Sequence, residues 1–107
     1  MENKMVAKIA KGLDSEMAVQ MVWKAYDLYK KEPAMIFKRN VVVCADCLGK
    51  GFNQRQAEHI FANIVKANVF VRTINPKGKR NDRYSVNSDL LHQFAQETGV
   101  FNRNLTN

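Results

Sequence analysis

The sequence predicts an α+β, mainly helical fold: a three-helix core followed by a small β-hairpin and a C-terminal helix. Three observations predict it. Ala57, Ile60, Phe61, Ile64 and Val65 recur at helical spacing on one face. A β-branched and aromatic run at 69–74 is separated from a second short run at 84–86 by the turn formers Asn75, Pro76, Gly78, Asn81 and Asp82. Residues that cap helices, Asp14 or Ser15, Asn53, and Asn87 or Ser88, stand just before apolar periodic stretches. A chain of 107 residues suits one hydrophobic core and is too short for two domains of ordinary size.

Residues 4–13 set Met5, Val6, Ile9 and Leu13 at helical spacing between lysines. They predict a short amphipathic helix or docked arm, too short to favour a membrane-surface role. The expected organisation is therefore an arm or short helix over 1–13, the domain over 14–99, and a tail over 100–107, partly disordered. A second, longer helix starts at Asp14 or Ser15, reaches about Lys31 and is ended by Pro33. Its apolar face holds Met17, Ala18, Met21, Val22, Ala25, Leu28 and Tyr29, widened by Val19, Trp23 and Tyr26. That stripe is about twice the ~100° a surface helix needs. Two readings follow: a homodimer interface built on Met17, Met21, Trp23 and Tyr26, or a second cover supplied by the N-terminal segment.

Residues 35–37 predict a small strand and 41–48 a compact helix. The valine run at 41–43 suits a strand equally well by propensity, and the following Gly49-Lys50-Gly51 turn decides for a helix. The next helix, 53–66, opens at Asn53, with Gln56 in the return position of a capping box. Asn68 stands where a helix end needs a left-handed residue. After the hairpin, a last helix carries Leu90, Leu91, Phe94 and Ala95 and closes at Gly99.

The net charge of +7 attracts polyanions, nucleic acid before acidic membrane or protein surfaces. Residues 72–84 concentrate it: Arg72, Lys77, Lys79, Arg80 and Arg83 against the lone acid Asp82. No apolar stretch is long enough to cross a bilayer. No secretory leader is expected from residues 1–12, so a cytoplasmic site is. Cys44 and Cys47 are too close for a bridge to staple the fold and are expected to be reduced core thiols. Zinc would need a second close pair of ligands, and His59 and His92 lie at unrelated spacings, so no metal and no cofactor are expected. Neither a phosphate-cradling glycine loop nor a nucleophile with a base and an orienting acid is recognisable, so an enzyme is not expected.

The order of helix, short strand, helix, glycine-containing turn, helix, basic hairpin and helix resembles the winged helix-turn-helix family of DNA-binding domains, as in small bacterial, plasmid and phage regulators. The resemblance covers about 14–99. Its most specific part is Ala57-Glu58-His59-Ile60-Phe61-Ala62-Asn63-Ile64-Val65-Lys66-Ala67-Asn68-Val69-Phe70-Val71-Arg72, which looks like a recognition helix running into a first wing strand. Many members have glycine where this chain has Asn68, and the three valines and two cysteines of the helix predicted over 41–48 depart from the usual pattern.

The resemblance implies DNA contacts from the recognition helix through Asn53, Gln54, Arg55, Gln56, His59, Asn63 and Lys66. Arg55 suits guanine, Gln56 and Asn63 suit adenine, and the small Ala62 lets the backbone come close. From the wing and its flanks, Lys77, Lys79, Arg80, Arg83 and Lys50 would grip phosphates, and arginine would enter an adjacent minor groove. The opposing readings are the ordinary polar face of an amphipathic helix, with Glu58 repelling phosphates, and an edge hairpin kept soluble by lysines. The function expected is sequence-specific binding of double-stranded DNA as a transcriptional regulator or repressor, as a homodimer. The alternatives are a centromere-binding adaptor of a plasmid or phage partition system, whose partner would be a filament-forming NTPase, and a winged-helix protein-interaction module.

Overall fold

In the computed structural model, residues 4–49, 51–73, 77 and 82–99 are described. The architecture is α+β and mainly helical: α1 (Lys4–Ala10), α2 (Ser15–Lys31), a 3-10 turn (Arg39–Val41), α3 (Ala45–Leu48), α4 (Gln54–Lys66), β1 (Phe70–Thr73), β2 (Arg83–Val86) and α5 (Ser88–Thr98). Lys50, Lys79 and Arg80, expected to grip phosphates, and the expected tail 100–107 lie outside the described residues.

Of the two capping choices at the start of α2, Asp14 is the one used: its carboxylate accepts from the N–H groups of Glu16 and Met17. The helix is the hub of the fold, packed against α1, α3, α4 and α5. Its wide apolar stripe is thereby consumed within one chain. Met5, Val6 and Ile9 of α1 join Met17, Met21, Val22 and Tyr26 in a single core. The dimer surface expected on Met17, Met21, Trp23 and Tyr26 is corrected accordingly. Met17, Met21 and Tyr26 are only 4%, 0% and 5% exposed, and the half-buried Trp23 donates its indole N–H to Thr98 Oγ1 of α5 at 2.9 Å. Residues 4–13 and 14–99 therefore share one core.

The valine run does not extend a helix. Val42 and Val43 are buried in the link between the 3-10 turn and α3, and Cys44 is fully extended with φ −160° and ψ 158°. β-branched side chains crowd the preceding turn of a helix, so the helix predicted over 41–48 begins only at Ala45. Gly49 and Gly51 then turn the chain at φ 66° and φ 83°, and open space lies where a Cβ would point at either position. Glycine is wanted there for its backbone alone.

At the N-terminus of α4 the Asn53 side chain accepts from Gln56 N–H at 3.0 Å, half of the expected capping box. At its other end Asn68 takes the left-handed conformation, φ 67°. The Val69 N–H returns to Ile64 C=O at 3.2 Å, and the chain passes directly into β1. Strands β1 and β2 pair antiparallel, Phe70 opposite Val86 and Thr73 opposite Arg83. The small strand at 35–37 reduces to one bridge, Phe37 to Tyr84, with both N–H···O=C bonds at 2.8 Å. Beneath it Phe37 meets Phe70 edge-on at 5.3 Å, and Phe61 meets Tyr84 edge-on at 4.8 Å. This aromatic cluster fastens the hairpin to α4. Asn87 caps α5 and Gly99 ends it in the left-handed region.

Candidate nucleic-acid interface

The outer face of α4 is exposed because its opposite face is consumed by the core: Ala57, Ile60, Phe61 and Ile64 are buried. Arg55, His59, Ala62 and Lys66 form an exposed ridge at helical spacing, with Asn53 and Gln54 exposed beside its start. Gln56 is half-buried, its backbone committed to the cap. Lys66 lies in the last turn, where a cation complements the helix dipole.

Asn63 is not on the ridge. Its side-chain amide donates to the Ile9 carbonyl of α1 at 2.8 Å, so the adenine-reading role expected for it is corrected: the group is spent docking α1 onto α4. Sequence spacing put Asn63 beside Ala62 at the edge of the polar face, and only the position of α1 shows which way it is used.

Glu58, the acid expected to repel phosphates, is held by two neighbours. Arg39 Nη2 lies 3.3 Å from its Oε2, and the Gln54 amide donates to the same oxygen. Arg39 comes from the 3-10 turn, nineteen residues upstream of Glu58, and nothing in its local sequence context marks it as a neighbour of α4. Glu58 therefore sits in a small charge network rather than as a bare anion on the ridge.

Of the hairpin cations, Arg72 is tied to the lone acid: its Nε lies 3.3 Å from Asp82 Oδ2, and Asp82 is 5% exposed. The pair sits at the loop end of the paired strands, where β1 ends and the chain returns into β2. Lys77 is exposed in a turn and Arg83 is half-buried on β2. The chain was compared with protein-family models, with curated proteins and with solved structures. None of them matches it.

Cys44 and Cys47 are half-buried rather than core thiols, and neither is in a disulfide. The Cys44 thiol reaches Cys47 Sγ at 3.1 Å, and the Cys47 thiol donates to the Val41 carbonyl at 3.1 Å. Burial, with a smaller contribution from the contact with Cys44, pushes the Cys47 thiol up to about 11. Cys44 stands at the N-cap of α3 and Cys47 within that short helix, both outside the buried core cluster. No helix among the described residues is long and apolar enough to cross a membrane.

Proposed function

We propose that the chain is a winged helix-turn-helix protein that binds double-stranded DNA, with α4 in the major groove and the basic hairpin on the adjacent backbone. The observation that carries this reading is the exposed ridge Arg55, His59, Ala62 and Lys66 on a chain of net charge +7. A groove-reading helix needs long polar side chains that reach base edges and a small one where its backbone comes close. Supporting it, α4 runs through the left-handed Asn68 straight into a hairpin whose loop carries the densest run of cations in the sequence. The activity is binding rather than catalysis, and occupancy of an operator by such a small domain suits a transcriptional repressor. Glu58 opposes duplex binding only weakly, because Arg39 stands against it.

The test is a titration against duplex DNA at several salt concentrations. Log affinity falls with log salt at about −0.9 per phosphate neutralised, and Lys77→Ala or Lys79→Ala lowers the slope by about one on every sequence. Arg55→Ala costs roughly 1 to 3 kcal/mol at the preferred site and relaxes selection at one base-pair position. Equal losses on cognate and random duplexes would remove base reading by Arg55. A salt-independent interaction, or tighter binding to an acidic protein than to duplex, would favour a protein-interaction module instead.

A further inference from the structure

Among the described residues the large hydrophobic side chains that stand exposed are Ile36 and Val71, at 63% and 44%. They are far apart in sequence, and the sheet brings them together. Val71 pairs with Ser85. The Phe37–Tyr84 bridge sets Ile36 across from Ser85 by the same antiparallel count. Phe37, Phe70 and Tyr84 turn toward the core, so their neighbours Ile36, Ser85 and Val71 share the outer face in one cross-strand row. The adjacent row is Lys38, Arg83 and Thr73.

The segment 35–38 is also the sheet's open edge. Phe37 spends both of its backbone groups on Tyr84, so those of Ile36 point away from β2. Neither the N–H nor the C=O of Ile36 makes a hydrogen bond among the described residues. Beside this edge runs a groove of about 450 Å³ between the end of α2 and the strand, floored by Leu28, Met35 and Val41. Its charged lining is Lys31, Lys38 and Arg83 against Glu32 alone. A free edge, a row with two exposed apolar side chains and a surplus of cations lie in one place.

We propose that this edge is a second binding surface, separate from α4, and that its occupant is an extended acidic segment of a partner protein, added antiparallel to 35–38 as a further strand. Main-chain bonds to Ile36 supply pairing, and alternate side chains supply choice. The partner residue opposite Ile36 is apolar and extends the Ile36–Val71 row. The residue two positions before it falls beside Lys38, with Arg83 one strand beyond, and is acidic. The residue between them enters the groove and is apolar. A second copy of this chain is the poorer occupant, because edge-to-edge pairing would set the cations of two +7 chains against each other.

The probe is a fluorescein-labelled peptide, threonine-glutamate-leucine-valine-threonine, followed by anisotropy on the full chain. Saturable binding is expected, weakened tenfold or more by Ile36→Ser, by Lys38→Glu and by N-methylation of the peptide valine, which removes the donor facing Ile36 C=O. A peptide with lysine for glutamate should bind Lys38→Glu better than the parent protein. Both positions are exposed, and circular dichroism with thermal melting checks that each variant is folded. Duplex binding by Ile36→Ser should stay at the parent level, which keeps failure here distinct from failure of the DNA reading. The proposal is overturned if the lysine peptide binds the parent equally well or Ile36→Ser binds the peptide as the parent does. It is also overturned if cross-links at position 36 join two copies, or if Ile36→Ser weakens duplex binding, which would make this a nucleic-acid surface.

Discussion

Replacing Glu58 by glutamine tests the orientation of α4 without disturbing its packing. The Arg39–Glu58 pair is half in water, with side chains 50% and 39% exposed, so its loss should change stability by no more than about 0.5 kcal/mol. The effect on duplex binding has the opposite sign and is larger. A carboxylate roughly 8 Å from a phosphate repels it by about 0.5 kcal/mol in bulk water, and salt at physiological strength reduces this to roughly 0.2 kcal/mol. Three phosphates at such range add up to about 0.6 kcal/mol, and an Arg39 released from Glu58 can take a phosphate of its own. Glu58→Gln should therefore tighten duplex binding by about 1 kcal/mol, close to fivefold, and steepen the salt slope by up to about 0.9. Fluorescence anisotropy with a labelled duplex between about 50 and 200 mM salt reads both quantities. Unchanged or weaker binding across that range, with an intact melting transition, would mean that α4 does not face the duplex.

Other outcomes follow from the same geometry. Asn63→Ala removes the donor to the buried Ile9 carbonyl; it should cost about 1 to 3 kcal/mol, speed amide exchange in α1 and leave duplex affinity unaltered, and a loss of affinity in a fully folded variant would return Asn63 to the ridge. Asn68 holds φ 67°, so Asn68→Gly should be neutral within about 0.5 kcal/mol while Asn68→Val should lose roughly 1 to 2 kcal/mol in chemical denaturation. With its thiol pushed up to about 11, Cys47 should be alkylated by iodoacetamide at pH 8 on the order of a hundredfold more slowly than a free cysteine, as read by peptide mass spectrometry. Because the folded value lies above the unfolded one, Cys47 contributes stability that is full below about pH 9 and is lost as pH rises toward about 11; Cys47→Ser should flatten that part of the pH–stability curve.

Local periodicity and capping were legible wherever one element's own residues settle its form. The apolar face of α4, the Asn53 cap, the left-handed Asn68 and the terminating Gly99 each depend on neighbours within a turn or two. The 3-10 turn and the shortened α3 were not legible, since the valines at 41–43 fit either a strand or a helix by propensity. What decided them was burial of Val42 and Val43 with Cys44 left extended. The single bridge at Phe37 depends likewise on a partner nearly fifty positions away, and its register is what brings Ile36 and Val71 onto one face.

The same distinction governs the candidate site. A ridge of Arg55, His59, Ala62 and Lys66 can be drawn on a helical wheel, because a helix that buries one face exposes the other. What each polar residue at the edge of that ridge is used for cannot be drawn there. Asn63 goes inward because α1 offers a carbonyl, and Glu58 is countered because a turn upstream delivers Arg39. The wide stripe on α2 follows the same logic. A wheel reports how much apolar surface must be covered, and leaves open whether a second molecule or another segment of the same chain covers it. Here α1 and α5 do, with Trp23 anchored to Thr98. Self-association on Met17, Met21 and Tyr26 would therefore require opening the core in which those side chains are buried.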